Sequence, residues 1–132
     1  MKITVDTNIL VRAAVQDDPA QAKKAVRLLK QATVIAVPLP VLCEYVWVLK
    51  SGYGYSRQEI SQSIKLLIKA ANVSVNRHAV ETGLAVFDAG GDFADGVIAL
   101  EGQRLGADEF VSFDKKAVSV INATGHKARI LK

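Results

Sequence analysis

The chain predicts an α/β fold around a mostly parallel sheet of about five strands, and three observations carry that prediction. Short apolar runs alternate with longer stretches of helical periodicity, the signature of βαβ units. The helical stretches have recognisable capping residues at their ends. Half of the 132 residues are apolar, enough for a sizeable core in one domain of the common size, roughly 100 to 150 residues.

Taken in order, residues 2–5, 34–37, 73–75, 110–113 and 128–131 read as strands. Asp18-Pro19 places a capping side chain before a proline at the first helical position, and Ala22, Ala25, Val26 and Leu29 follow at helical spacing. Residues 41–49 form a helix in which Glu44 is the only charge. Residues 51–56, with two glycines and two tyrosines, read as the most mobile connection, joining two helices. Ser56 and Glu59 make a capping box ahead of Ile60, Ile64, Leu67 and Ile68. Asp95 opens a helix that continues through Val97-Ile98-Ala99-Leu100. Gly52, Gly106 and Gly125 stand where helices should stop. No internal repeat, linker or low-complexity segment interrupts the pattern.

Composition narrows the function classes. The longest apolar stretches, such as residues 34–43, fall short of the roughly 20 residues a membrane span needs and are broken by Pro38 and Pro40. Met1-Lys2 leads straight into a strand, leaving no room for a secretory leader, so a cytoplasmic location is expected. The single cysteine, Cys43, permits no internal disulfide, and its apolar flanks suit an inert core thiol. A net charge of +4 reads alone as an ordinary solubility charge. If several of the 13 acids line one pocket, the remaining surface is more basic than the average implies and attracts polyanions.

The acids are the strongest chemical signal. Asp6 ends the run Ile3-Thr4-Val5, Glu44 interrupts an apolar helix, Asp95 opens another, and Asp114 ends Phe110-Val111-Ser112-Phe113. Acidic side chains are almost never fully buried unless paired. Two like charges about 4 Å apart repel by about 4 kcal/mol at an effective dielectric of about 20. In an open parallel sheet, ligands bind outside the carboxyl ends of the strands, where Asp6 and Asp114 both stand, and Glu44 and Asp95 can project towards the same edge. A convergent quartet would need a cation, and oxygen-only ligation suits Mg²⁺ or Mn²⁺ rather than zinc.

Each acid also has a plainer role. Asp6 and Asp114, taken singly, read as helix caps. Asp92 is a better cap than Asp95, which is the better ligand of that pair. Glu44, in mid-helix, has no capping role and reads as functional or paired. Thr7, Asn8 and Ser112 stand beside Asp6 and Asp114, either to orient the carboxylates or to close local turns.

Val5-Asp6-Thr7-Asn8-Ile9-Leu10, Pro40-Val41-Leu42-Cys43-Glu44, Asp92-Phe93-Ala94-Asp95 and Ser112-Phe113-Asp114 together resemble the PIN-domain ribonucleases and, within them, the VapC-like toxins of bacterial toxin–antitoxin pairs. The resemblance covers essentially the whole chain and implies a single three-layer α/β/α nuclease domain over residues 1–132. It implies that Asp6, Glu44, Asp95 and Asp114 are the catalytic and metal-binding acids, with Asp92 accessory, holding one or two Mg²⁺ or Mn²⁺ ions to hydrolyse an RNA phosphodiester. Arg12, Lys115 and Lys116 are candidates to hold the RNA backbone, with solvated surface charge as their plainer role. The implied partners are RNA, a small antitoxin protein and a second copy of the chain. Gly96 departs from the pattern, where close relatives usually carry alanine; the expected cost is about 1 kcal/mol of helix propensity, with no effect on the chemistry.

Other classes fit less well. A haloacid-dehalogenase-type phosphatase would want an aspartate where Asn8 stands. A response-regulator receiver would want paired acids after the first strand, and no strand runs into a glycine-rich phosphate loop. The remaining rival is a non-catalytic member of the same fold, an RNA-binding or regulatory module.

Overall fold

Five strands form where the apolar runs predicted them, each trimmed to two or three residues: β1 (Lys2–Thr4), β2 (Val34–Ala36), β3 (Val73–Ser74), β4 (Phe110–Ser112) and β5 (Ala128–Ile130). Seven α-helices connect them: α1 (Thr7–Val15), α2 (Pro19–Gln31), α3 (Leu39–Trp47), α4 (Arg57–Lys69), α5 (Arg77–Asp88), α6 (Phe93–Arg104) and α7 (Lys115–Ala123). These elements come from a computed structural model that describes all 132 residues. No helix is long and apolar enough to cross a membrane.

The strands do not join into the single sheet expected. They form a three-stranded sheet ordered β1-β2-β3 and a two-stranded sheet β4-β5. Every pair is parallel, with Ile3 opposite Ile35, Ile35 opposite Val73, and Val111 opposite Arg129. Strands this short carry ladders of only two or three residue pairs.

The chain divides into two compact units, Met1–Asn76 and Arg77–Lys132. In the first, two helical crossovers link the three parallel strands, as parallel pairing requires. Proline at the start of α2 and the Asp18 side chain, which accepts from the Gln21 N–H at 3.1 Å, fix that helix. Ser56 and Glu59 complete the predicted capping box of α4. Leu10, Val11, Ile35, Leu42, Leu49, Ile60 and Ile64 are buried. Gly52 stands at the end of its helical run, as expected, but without the left-handed conformation of a capping glycine. The chain runs from α3 into a π-helical turn, Val48–Gly52, closed by the Tyr53 N–H on the Val48 carbonyl at 3.2 Å. Gly54, at φ 70°, takes the left-handed conformation instead. Within the 51–56 connection Tyr53 and Tyr55 meet edge to face at 6.3 Å, and the Tyr55 N–H donates to the Leu49 carbonyl at 3.0 Å.

In the second unit α7 packs on both β4 and β5, around Val86, Val120 and Ile121. Helices α5 and α6 are packed closely, and Gly96 explains how. A Cβ there would lie 2.9 Å from the Gly83 Cα and 3.0 Å from the Thr82 carbonyl oxygen, distances that real Cβ atoms avoid. The helix-propensity cost expected for Gly96 is therefore offset by a close helix crossing that alanine would open, and the residue lies beside Asp95.

Candidate acidic site

Asp92, Asp95 and Asp114 are brought together in the second unit. Asp92 caps α6, accepting from the Ala94 N–H at 3.1 Å. Asp114 leaves the carboxyl end of β4 and caps α7, its Oδ1 accepting from the Lys116 and Ala117 N–H groups at 2.9 and 3.1 Å. Asp95 lies in the first turn of α6, half-buried, and caps nothing. Burial raises its pKa above the ordinary aspartate value, and the charges of Asp92 and Asp114 raise it further. Asp95 thus faces two negative neighbours with burial working against its own charge.

In the first unit, Asp6 follows β1 and caps α1, its Oδ1 accepting from the Ile9 N–H at 3.2 Å. Both expected roles are compatible at Asp6 and Asp114, since each cap uses one carboxylate oxygen and leaves the other. Glu44 is exposed on α3. The expectation that the four acids sit inside apolar surroundings is corrected at three positions, because Asp6, Glu44 and Asp114 are all exposed. At Asp6 and Asp114 the apolar run ends at the cap. At Glu44 a run that looked continuously apolar is wound into a helix, so that Leu42, Tyr45 and Val46 turn inward while Pro40, Glu44 and Trp47 share the wet face.

The supporting residues divide similarly. Ser112 Oγ accepts the backbone N–H of Asp114 at 3.0 Å, closing a turn and leaving the carboxylate alone. Thr7 is buried at the first position of α1, and Asn8 is exposed. Lys115 and Lys116 are exposed in the first turn of α7. Arg12 is not free. Its Nη1 donates to Asp17 Oδ1 at 3.0 Å, and the Tyr53 hydroxyl donates to Asp17 Oδ2 at 3.0 Å. The Tyr53 hydrogen bond, then Arg12, hold the Asp17 carboxyl below its ordinary range, while Asp17 raises the Arg12 guanidinium.

Two large aromatics beside the acids went unremarked in the sequence: Phe113, 77% exposed, and Trp47, 68% exposed. The signal was present. Strand alternation groups Phe113 with Val111 on the outward side, and helical spacing groups Trp47 with Pro40 and Glu44.

The donors around Asp95 are all carboxylate oxygens, which suit a hard divalent cation. No group of three or more His, Cys, Asp or Glu side chains is gathered tightly enough to cage an ion. The donor set itself, the carboxylate oxygens of Asp92, Asp95 and Asp114, nonetheless fits such an ion in chemistry. A parallel α/β fold with aspartates at the carboxyl end of a strand and at helix starts defines a class of acidic, oxygen-donor sites. The chain belongs to the PIN domain family, whose profile matches residues 3–121, and that membership makes a nuclease-type fold of it. A search of curated proteins finds no match for the chain.

Proposed function

We propose that this protein is a metal-dependent endoribonuclease and the toxin of a toxin–antitoxin pair. The observation that carries the reading is Asp95, a half-buried carboxyl whose pKa is raised by burial and by the charges of Asp92 and Asp114, in a chain whose PIN profile spans residues 3–121. That span also supports treating residues 1–132 as one nuclease domain. Asp6, Glu44, Asp95 and Asp114 are the catalytic acids and would hold one or two Mg²⁺ or Mn²⁺ ions, with Asp92 accessory. Once bound, the cation supplies Lewis acidity and offsets the charge of the phosphodiester.

The chain's own residues have separable tasks. The caps at Asp6 and Asp114 fix those carboxylates through backbone N–H groups. Asp92 and Asp114 keep Asp95 electrostatically unsatisfied, and so receptive to a cation. Lys115 and Lys116 take up phosphate charge. Arg12 contributes through a guanidinium already oriented by Asp17. The protein acts in the cytoplasm as a homodimer restrained by a small antitoxin protein.

Purified protein should cleave RNA with Mg²⁺ or Mn²⁺ and stop when a chelator is added, and its expression alone should arrest growth. Asp6→Asn and Asp95→Asn should relieve the arrest. Cleavage undiminished in excess chelator would contradict the metal mechanism, and RNA binding without cleavage would favour a non-catalytic module of the same fold.

A further inference from the structure

We propose that Phe113 is a stacking platform for an unpaired base of the RNA; this rests on the nuclease reading above. Phe113 is 77% exposed, whereas Phe87 and Phe93 are almost fully buried. It stands at the carboxyl end of β4, immediately before Asp114, the carboxylate that acts electrostatically on Asp95. Its chain neighbours on the other side are Lys115 and Lys116, both exposed.

That sequence of functions along four residues matches a nucleotide. A base offers a π-face to the ring, and the adjoining phosphates offer charge to the lysines. Aromatic rings interleaved with cations are how single strands are held without reading sequence. In a duplex the base faces are already stacked on one another, so Phe113 has nothing to engage. A protein partner fits this spot less well. Interface cores are depleted in Lys and Asp, and Phe113 is followed by one aspartate and two lysines, all exposed.

Leu105 provides a control. It is 88% exposed and lies at the far end of α6 from Asp92 and Asp95, about 15 Å along the helix at about 1.5 Å per residue.

The test uses the Asp95→Asn background so that RNA is bound without being cut, with a single-stranded oligoribonucleotide carrying 2-aminopurine and a matched duplex. Phe113→Ala should weaken single-strand binding by about five- to a hundredfold, the range for losing one stacked base, and abolish 2-aminopurine quenching. Duplex binding should stay unchanged. Phe113→Tyr should restore both signals, and Leu105→Ala should behave as the parent. Single-strand binding unaffected in Phe113→Ala overturns the platform while leaving the nuclease reading intact if the unmutated chain still cleaves. A changed oligomeric state in Phe113→Ala with unchanged RNA binding also overturns it, marking the face as a protein contact. An intact chain that neither binds nor cleaves RNA overturns both readings.

Discussion

Asp17 and Asp95 are aspartates near helix starts in the two units of this protein, and their surroundings act on them in opposite directions. Asp17 receives a hydrogen bond from Tyr53 and a guanidinium from Arg12, and its pKa falls. Asp95 is partly withdrawn from water beside Asp92 and Asp114, and its pKa rises. The first arrangement is complete within the chain. The second combines burial with two acidic neighbours, and that combination in one place distinguishes a candidate ligand carboxylate from a structural one.

Substitution should separate them most sharply in activity. Asp95→Asn is expected to reduce RNA cleavage by at least about a hundredfold, the scale of losing one preorganised charge-stabilising group. Asp17→Asn removes a solvent-exposed pair, of a kind that contributes little to stability, and should change cleavage by less than about fivefold. Comparable losses in both would erase the distinction. Rates measured at saturating RNA and at limiting RNA would also show whether releasing Arg12 affects binding alone.

Thermal melts sharpen the contrast further. Mg²⁺ at a hundredfold excess over its dissociation constant should stabilise the folded chain by about 2.7 kcal/mol if the unfolded chain does not bind it. Asp95→Asn and Glu44→Gln should abolish that gain, and Asp17→Asn should keep it. A Glu44→Gln variant that still responds fully to Mg²⁺ would remove Glu44 from the site.

A smaller effect is expected from the glycines of α6, one of which sets the ground on which Asp95 stands. Gly96→Ala should destabilise by about 1–2 kcal/mol, since overpacking costs about 1–3 kcal/mol and the gain in helix propensity returns at most about 1 kcal/mol. Gly102→Ala, where the nearest atom to a new Cβ is the Ala107 Cβ at 4.0 Å, should instead stabilise by about 0.5–1 kcal/mol. Denaturant midpoints would read both signs. Equal stabilisation by the two alanines would mean that the α5–α6 crossing adjusts freely and does not fix Asp95.

These contrasts also mark what a sequence can disclose. Helix starts were legible, because Asp18, Ser56, Asp92 and Asp114 cap through atoms two or three residues away. All five strands were legible from their apolar runs. Features requiring distant partners were not. Nothing near Gly96 in the chain announces Gly83, and the Tyr53 that completes the Asp17 pairing lies 36 positions away. The division of five strands into two sheets is likewise a matter of long-range pairing. The exposure of Glu44 was hidden for a local reason: a linear run of apolar residues conceals the solvent stripe that a helix of the same residues exposes.

The central claim is most directly tested by titrating side-chain carboxyl carbons by NMR in the metal-free protein and again with Mg²⁺. Asp95, its folded pKa raised, draws stability from its neutral form; that contribution is present at low pH and is lost as pH climbs through the unfolded and then the raised folded value. Asp17, its folded pKa lowered, contributes above the unfolded value and loses that contribution as pH falls through the folded one. The account predicts that Asp95 titrates above an ordinary aspartate and Asp17 below it, and that Mg²⁺ shifts Asp95 downward while leaving Asp17 in place. Asp95 titrating at or below Asp17 without metal, or failing to respond to Mg²⁺, would contradict it.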